Sequence, residues 1–182
     1  MNEIGQMRRV EPLGSARLQL EPLRPEHADE LAPLLDDPRL YQFTGGGPVS
    51  LAQLRLRFER LASGFSTDGS ERWLNWLVRR RDTGQPVGTV QATVSDHNGE
   101  ITAALAWVIV VPHQGQGYAR EAARLIEVWL QQQGVAAMVA HIHPHHQASM
   151  AVARALGLAP TDTVVEGEVR WSNGERGSPR GG

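Results

Sequence analysis

The chain has 182 residues, 41% of them hydrophobic, and carries a formal net charge of −2 at pH 7. This length suits a single domain with one core, and the small net charge favours neither a nucleic-acid partner nor a membrane partner. With no cysteine in the sequence, thiol catalysis, disulfides and thiolate-bound metals are excluded. The sequence lacks both an apolar run near the roughly 20 residues that span a bilayer and a secretion signal at its start, so we expect a cytoplasmic protein.

The first predicted elements are a strand and two helices. Polar and apolar residues alternate over 17–23 as in a half-buried strand, and Pro25 is well placed in the first turn of a helix that runs to about Asp36. Ser50 caps a second helix, and Gln53, three residues later, completes a capping box. A strand followed by two helices therefore opens the domain.

Three strand-like runs come next, over 72–81, 86–95 and 100–110. Turn residues occupy both joints, at 82–85 and 96–99. Short joints of this composition favour hairpins, so the three strands are predicted to form an antiparallel meander.

The last predicted elements alternate between helix and strand. A helix runs from about 116 to 133 and ends at Gly134, a residue suited to the left-handed conformation that closes helices. A strand over 135–142, a short helix over 148–156 and a hairpin over 161–171 follow, with the hairpin turning at Glu166 and Gly167.

The order of these elements predicts an α/β (α+β) fold, with a mixed, mostly antiparallel sheet and helices on both faces. We expect an N-terminal arm over 1–16, one domain over 17–171, and a disordered tail over 172–182, because the tail is rich in Gly, Ser, Pro and Arg.

A glycine-rich turn joins the third meander strand to the following helix. Its sequence, Gln-Gly-Gln-Gly-Tyr-Ala over 114–119, brings backbone N–H groups and the positive end of a helix dipole to one place, which predicts binding of a pyrophosphate-bearing cofactor. A nucleoside triphosphate loop is excluded because all 18 basic residues are arginine. A dinucleotide fingerprint needs a third Gly or Ala where Arg120 stands.

The remaining pattern, Gln/Arg-x-x-Gly-x-Gly/Ala, resembles the coenzyme A loop of the GNAT N-acetyltransferases. The predicted element order is also that of the GNAT fold. Residues 142–149, Ile-His-Pro-His-His-Gln-Ala-Ser, and residues 152–158, Val-Ala-Arg-Ala-Leu-Gly-Leu, look like two further GNAT segments. The resemblance covers about 17–171 and is closest to the branch that includes ribosomal-protein N-terminal acetyltransferases.

This resemblance implies acetyl-coenzyme A as co-substrate and direct attack by a primary amine in a ternary complex. Backbone groups of Trp107, Val108 and Ile109 would hold the pantetheine arm, and a free N–H at this strand edge would face the thioester oxygen. The pyrophosphate would lie against the loop, whose implied donors are Gln114, Gly115, Gln116, Gly117, Tyr118 and Ala119, with Arg120 adding a positive charge.

Two residues of the second segment carry implied roles. Ser149 matches the serine proposed in the resembling branch to protonate the coenzyme A thiolate, although a hydroxyl near a helix start can instead cap the helix. His146 stands where the family has an asparagine that contacts the cofactor, and an imidazole can still donate a hydrogen bond.

The general base is the weakest part of the pattern. Ala104 occupies the place where relatives often have a glutamate, so either water relays the amine proton to another group or the amine arrives neutral. The candidates by position are His141, His143, Glu100, Asp162, Glu166 and Glu168.

The histidines at 141, 143, 145 and 146 invite a metal-site interpretation. Pro144 breaks the strand that would present His141 and His143 together, and no carboxylate or cysteine stands near them in the sequence. We therefore expect no metal.

The sequence does not decide the acceptor, which is a protein N-terminus, a small amine or amino acid, or an amine-bearing antibiotic. Trp73 and Trp76 point to opposite faces of a strand, and each either packs in the core or, with Tyr41 and Phe43, forms an aromatic wall of the acceptor site.

Two other classes of protein stay open at this point. One is a non-catalytic acyl-coenzyme A-binding regulatory module, which is consistent with the departures from the family pattern at Ala104 and His146. The other is a nucleotide-binding protein. The oligomeric state is also open, with a homodimer as one option.

Overall fold

A computed structural model describes residues 3–97 and 99–174. Its elements follow the predicted order, preceded by a short helix and a two-residue strand that the sequence did not predict. In chain order they are α1 (Glu3–Gln6), β1 (Leu13–Gly14), β2 (Leu18–Pro22), α2 (His27–Leu35), α3 (Leu51–Ala62), β3 (Glu71–Arg80), β4 (Pro86–His97), β5 (Glu100–Ile109), α4 (Tyr118–Gln132), β6 (Ala137–Ile142), α5 (Gln147–Ala155), β7 (Ala159–Val165) and β8 (Glu168–Ser172).

The strands form a single sheet in the order β1-β2-β3-β4-β5-β6-β8-β7. Every neighbouring pair is antiparallel except β5 and β6, which are parallel. The predicted mixed, mostly antiparallel sheet and its three-strand meander are therefore confirmed. Of the predicted 96–99 turn, Asn98 lies outside the described residues, and the flanking pair is His97 with Glu100.

Helices cover both faces of the sheet, as predicted. On one face, α1, α4 and α5 pack over a large core that includes Trp76, which is fully buried with its ring edge against Trp129. On the other face, α2 and α3 pack through Leu31, Leu54 and Phe58 onto Leu77 of β3. Because successive residues of a strand face opposite sides, Trp76 and Leu77 anchor the two layers from one strand.

The helix boundaries follow local sequence signals. Ser50 and Gln53 form the predicted capping box: the Ser50 hydroxyl accepts from the Gln53 N–H at 3.2 Å, and the Gln53 side chain accepts from the Ser50 N–H at 2.9 Å. Helix α4 ends before Gly134, whose φ of +84° is the left-handed value expected there. Among the described residues, no helix combines the length and apolarity of a transmembrane span.

The two ends of the domain extend further than the predicted elements. Ile4 in α1 is 1% exposed and joins the core, and β1 pairs with β2. The expected disorder from Ser172 onwards is wrong at its start: Ser172 is the last residue of β8, buried, and paired with Val139. The ladder with β6 fixes this segment whatever its composition. Residues 175–182 lie outside the described residues.

Candidate active site

Strands β5 and β6 separate in the middle of the sheet and leave a gap between them. They pair only through Thr102, Ala103 and Ala104, and the last of these pairs joins Ala104 to Val139. Beyond this point β6 continues its ladder with β8, while β5 continues with β4 alone. The β5 edge from Leu105 to the end of the strand therefore borders the gap.

The hydrogen-bond ladder shows which groups of β5 face this gap. The Val110 N–H donates to the Val87 carbonyl at 2.9 Å, whereas the Ile101 carbonyl accepts from Ala136 on the β6 side at 3.0 Å. Since the direction alternates along an antiparallel strand, the backbone N–H and C=O groups of Leu105, Trp107 and Ile109 point towards β6.

Of the three residues predicted to contact the pantetheine arm, Val108 does not direct its backbone groups into the gap. In this alternation its N–H and C=O point towards Thr89 of β4, and its side chain is 38% exposed on the sheet face that carries α2 and α3. Trp107 and Ile109 keep backbone groups directed into the gap. The β4–β5 register decides which residues of β5 hydrogen-bond to β4 and which direct their backbone groups towards β6.

The glycine loop lies at the end of β5 nearest the gap. Gly115 and Gly117 have φ of +75° and +81°, left-handed values that strain any residue with a Cβ. A Cβ on Gly115 would meet no atom within 4 Å, so this glycine is needed for its backbone conformation and not for space. Gly117 is the N-cap residue of α4, directly before the first helical residue, Tyr118.

The loop presents a row of unpaired backbone donors. Within the described part of the chain, none of the N–H groups from Gly115 to Arg120 has a hydrogen-bond acceptor, and the first helical bond in α4 runs from Glu121 to the Gly117 carbonyl. These donors sit at the positive end of a 15-residue helix. The structure thus brings together the N–H groups of the predicted donors Gly115, Gln116, Gly117, Tyr118 and Ala119, and it adds that of Arg120, which was predicted to contribute a positive charge.

Gln114, the first residue of the predicted loop, braces it instead. Its backbone N–H donates to Val111 at 3.2 Å, and its side-chain amide donates to the Ile109 carbonyl at 2.9 Å. The backbone N–H and one of the two side-chain N–H groups are used inside the protein, so Gln114 fixes the turn between β5 and the loop, and its contact with the pyrophosphate stays a prediction.

Arg17, just before β2, contacts the loop although no local pattern in the sequence predicts it. Its guanidinium donates to the Gln116 carbonyl at 3.1 Å, lies 4.8 Å from the centre of the Tyr118 ring, and pairs with Glu121 at 2.5 Å. Burial alone would raise the pKa of Glu121, but bonds from Ser15 and Arg17 lower it overall. The cluster therefore holds a paired carboxylate beside the loop.

Ser149 lies beside the gap, in the first turn of α5. Its hydroxyl accepts from the Trp107 indole N–H at 3.3 Å and lies 3.4 Å from Nε2 of His146. Among the described residues no side chain caps α5, so the capping alternative for Ser149 is not observed. The hydroxyl interacts instead with side chains from β5 and from the loop before α5.

His146 is half-buried against an aromatic ring from a distant loop. Its imidazole stacks on Phe43 with centroids 4.5 Å apart and an angle of 19° between the planes. Phe43 also contacts His143 at 5.4 Å. Burial, and then the proximity of His143, lower the pKa of His146. Tyr41 instead donates to the Leu35 carbonyl at 2.9 Å, so it braces α2.

The other candidate bases are spread apart. His141 is exposed on β6 opposite Arg170, Glu100 begins β5 at its far end, and Glu166 lies in the β7–β8 turn. Asp162 and Glu168 belong to the edge hairpin. Within residues 3–97 and 99–174, no group of three potential metal ligands comes together.

The α2 and α3 side of the gap offers an open floor. Ala104, Ala106 and Val108 alternate on this face of β5, and the register places them opposite Thr93, Gln91 and Thr89 of β4. Ala106 and Val108 are exposed. Trp73 lies on the same face, half-buried beneath the Arg60 guanidinium, whereas Trp76 is a core residue. Small side chains leave room there for a second substrate.

Comparisons with known proteins agree with this geometry. The family model described as an acetyltransferase (GNAT) domain matches residues 17–159. Among solved structures, a GNAT-family acetyltransferase from Bacillus anthracis superposes with a TM-score of 0.69 at 15% identity, covering 89% of this chain and 96% of that one. An acetyltransferase from Thermus thermophilus gives 0.68 at 21% identity, covering 86% and 96%.

A third solved structure has a bound ligand. The ribosomal L7/L12 α-N-protein acetyltransferase RimL, in complex with coenzyme A, gives a TM-score of 0.75 at 17% identity and covers 90% of this chain and 97% of that one. At these identities the likeness concerns the fold. No curated protein sequence matches the chain.

Proposed function

The chain belongs to the GNAT family of N-acetyltransferases, and we propose that it moves the acetyl group of acetyl-coenzyme A directly to a primary amine within a ternary complex. The observation that carries this proposal is the alignment of the β5–β6 gap with the glycine loop. Within the described residues, the backbone groups that Trp107 directs into the gap and the Ile109 N–H have no partner strand, and they continue into the row of loop N–H donors. A long cofactor with an amide-rich arm and a pyrophosphate matches such a track.

The residues present fit coenzyme A by their chemistry. The loop N–H groups and the start of α4 favour an anion, and Arg17 offsets the negative charge of Glu121 beside them. The β5 edge can add a short backbone ladder to an extended amide-bearing arm. Acetyl-coenzyme A supplies the activated thioester, and the protein supplies position and polarity.

The chemical step needs the amine, the thioester carbonyl and a proton donor at one place. We place the Trp107 backbone N–H towards the thioester oxygen, where it would stabilise the developing negative charge. The amine would approach over Ala106 and Val108, the open floor of the gap. Ser149, on the other side of Trp107, would donate its hydroxyl proton to the departing thiolate.

The proposed acceptor is a protein N-terminus, a small amine or amino acid, or an amine-bearing antibiotic. The RimL likeness favours testing peptide N-termini first. Small residues line the floor, so the acceptor would be selected by the rim, where Phe43 and Trp73 offer aromatic surface.

The test measures release of free thiol from acetyl-coenzyme A in the presence of a panel of peptides with free N-termini, amino acids, polyamines and aminoglycosides. We expect turnover with at least one amine and intersecting lines in a two-substrate initial-velocity plot, since both substrates bind before reaction. Parallel lines would contradict the ternary complex. Coenzyme A binding without turnover on any amine would favour the regulatory-module alternative.

A further inference from the structure

Three side chains from separate parts of the fold form a chain beside the gap. The indole N–H of Trp107 donates to the Ser149 hydroxyl oxygen at 3.3 Å, and that oxygen lies 3.4 Å from Nε2 of His146. An indole N–H can only donate, so the serine oxygen must accept from it. The hydroxyl proton of Ser149 is therefore left for a different acceptor, and Nε2 is within reach.

We propose that His146 is a positioning residue that relays a proton through Ser149, taking the hydroxyl proton as the attacking amine loses its own and returning it as the thiolate leaves. The inference rests on the proposed function. It also reassigns His146, which the sequence pattern had predicted to contact the cofactor.

The surroundings of His146 suit a neutral, fixed imidazole. One ring face is covered by Phe43, which holds its plane and excludes water from that side. The titratable groups on the same loop are His143 and His145, and neither Phe43 nor Trp107 brings a charge. Because burial and His143 lower the pKa of His146, the imidazole is neutral near pH 7 and able to accept a proton.

The proton balance closes without any further reactant. As the amine nitrogen bonds to the acetyl carbon, its proton passes to the Ser149 oxygen, and the original hydroxyl proton passes to Nε2 of His146. As the carbon–sulfur bond breaks, Ser149 gives a proton to sulfur and recovers the one on His146. One proton has moved from nitrogen to sulfur, and both residues are regenerated.

This relay supplies what Ala104 lacks. A glutamate at that position would take the amine proton in relatives with the usual pattern, whereas here the base would act from the opposite side of the gap. A histidine can take this role where asparagine cannot, since an amide side chain does not accept and return a proton at neutral pH.

The first test reads the imidazole directly. In protein with ¹⁵N-labelled histidine at pH 7.5, long-range ¹H–¹⁵N NMR should show His146 with its proton on Nδ1 and Nε2 as the acceptor. Ser149→Ala should shift the Nε2 resonance of His146, while His145→Gln, a change at an exposed neighbour, should not. A proton on Nε2 that Ser149→Ala leaves unchanged would overturn the relay.

The second test uses the amine with the fastest turnover in the panel. We expect His146→Gln to lower kcat by about 100-fold, to leave the KM for acetyl-coenzyme A within about twofold, and to remove the acid limb of the pH profile of kcat/KM. Ser149→Ala combined with His146→Gln should be no slower than Ser149→Ala alone, because the two residues act as a unit. His145→Gln should match the unaltered enzyme.

The outcomes separate the two proposals. If the unaltered enzyme turns over no amine, the proposed function fails. If it turns over and His146→Gln keeps kcat and the acid limb, the relay alone fails. A raised KM for acetyl-coenzyme A with unchanged kcat would make His146 a cofactor contact, which also overturns the relay.

Discussion

Gly117 couples a backbone conformation to the proposed binding of a pyrophosphate. It is the N-cap residue of α4 with a φ of +81°, and its own N–H belongs to the row of donors in the loop. Gly134, at the other end of α4, has a similar φ of +84° and open space around it. The two glycines differ in what lies beside them, which makes one a natural control for the other.

We expect Gly117→Glu to abolish coenzyme A binding, because it places a negative side chain where a pyrophosphate would lie. Gly134→Glu imposes the same charge and a comparable backbone strain, of order 1 kcal/mol, and should bind as the unaltered protein does. Isothermal titration calorimetry with coenzyme A checks both variants. Equal affinity in Gly117→Glu and Gly134→Glu would contradict the assignment of the loop.

Arg17 offers a second test at the same loop. Its removal leaves the Glu121 carboxylate unpaired beside the predicted phosphate site, where a negative charge repels the ligand. We expect Arg17→Gln to weaken coenzyme A binding by about tenfold, equivalent to about 1.4 kcal/mol. Arg55→Gln, which breaks an exposed ion pair with Asp29 on α2, is the matched control.

A double variant, Arg17→Gln with Glu121→Gln, tests whether Arg17 acts by neutralising Glu121 or by contacting the ligand directly. If Arg17 acts by neutralising Glu121, the double variant should recover part of the lost affinity. An affinity for the double variant that equals or falls below that of Arg17→Gln would indicate direct contact between Arg17 and the ligand.

A buried histidine connects helix α2 to the sheet. His27 in α2 is 2% exposed, its Nδ1 accepts from the Arg24 N–H at 3.1 Å, and its Nε2 lies 3.4 Å from Glu21 of β2. Arg79 of β3 pairs with both Glu21 and Glu30. Burial, followed by the charge of Arg24, lowers the pKa of His27 despite the opposing effect of Glu21.

The contact of His27 between α2 and β2 predicts that the free energy of unfolding depends on pH. A lowered pKa means that the folded state binds fewer protons than the unfolded state, so His27 weakens the fold as pH falls from about 6.5 through its folded pKa. Urea unfolding at pH 7.5, 6.5 and 5.5 should show a steeper loss of stability in the unaltered protein than in His27→Gln. Parallel losses in the two proteins would contradict this account.

Elements with local signals were predictable from the sequence. The Ser50 and Gln53 capping box, the turn at Glu166 and Gly167, and the positive φ at Gly134 each depend on residues a few positions apart. Short-range patterns of this kind leave little choice of backbone conformation.

Features that depend on long-range contacts were not predictable. The exclusion of Val108 from the gap follows from the β4–β5 register, Arg17 reaches Glu121 across 104 positions, and Phe43 meets His146 only because the sheet brings their loops together. Nothing in the local sequence of these residues encodes their partners. Ser172 is a similar case, since its order comes from pairing with β6.

At the scale of the whole molecule, the gap divides the sheet into two parts, β1–β5 and β6–β8, that pair through three residues of β5. A ligand in the gap would bridge both parts by occupying the backbone groups that each leaves free. Hydrogen exchange should reveal this, because coenzyme A would slow the amides of Trp107 and Ile109 and those of 115–120. The Val108 amide, directed towards β4, should be protected equally with and without ligand.

Binding across the gap should also stabilise the fold as a unit. At a coenzyme A concentration 100 times the Kd, linkage adds about 2.7 kcal/mol to the free energy of unfolding, which for a domain of this size raises the Tm by about 5 to 10 °C. Differential scanning fluorimetry measures the shift in Tm. For Gly117→Glu, the Tm with coenzyme A is compared with the Tm of the same variant without ligand, and we expect no shift. A Tm that rises with adenosine triphosphate and not with coenzyme A would instead identify a nucleotide site, and the track from the glycine loop into the β5–β6 gap would then serve a different ligand.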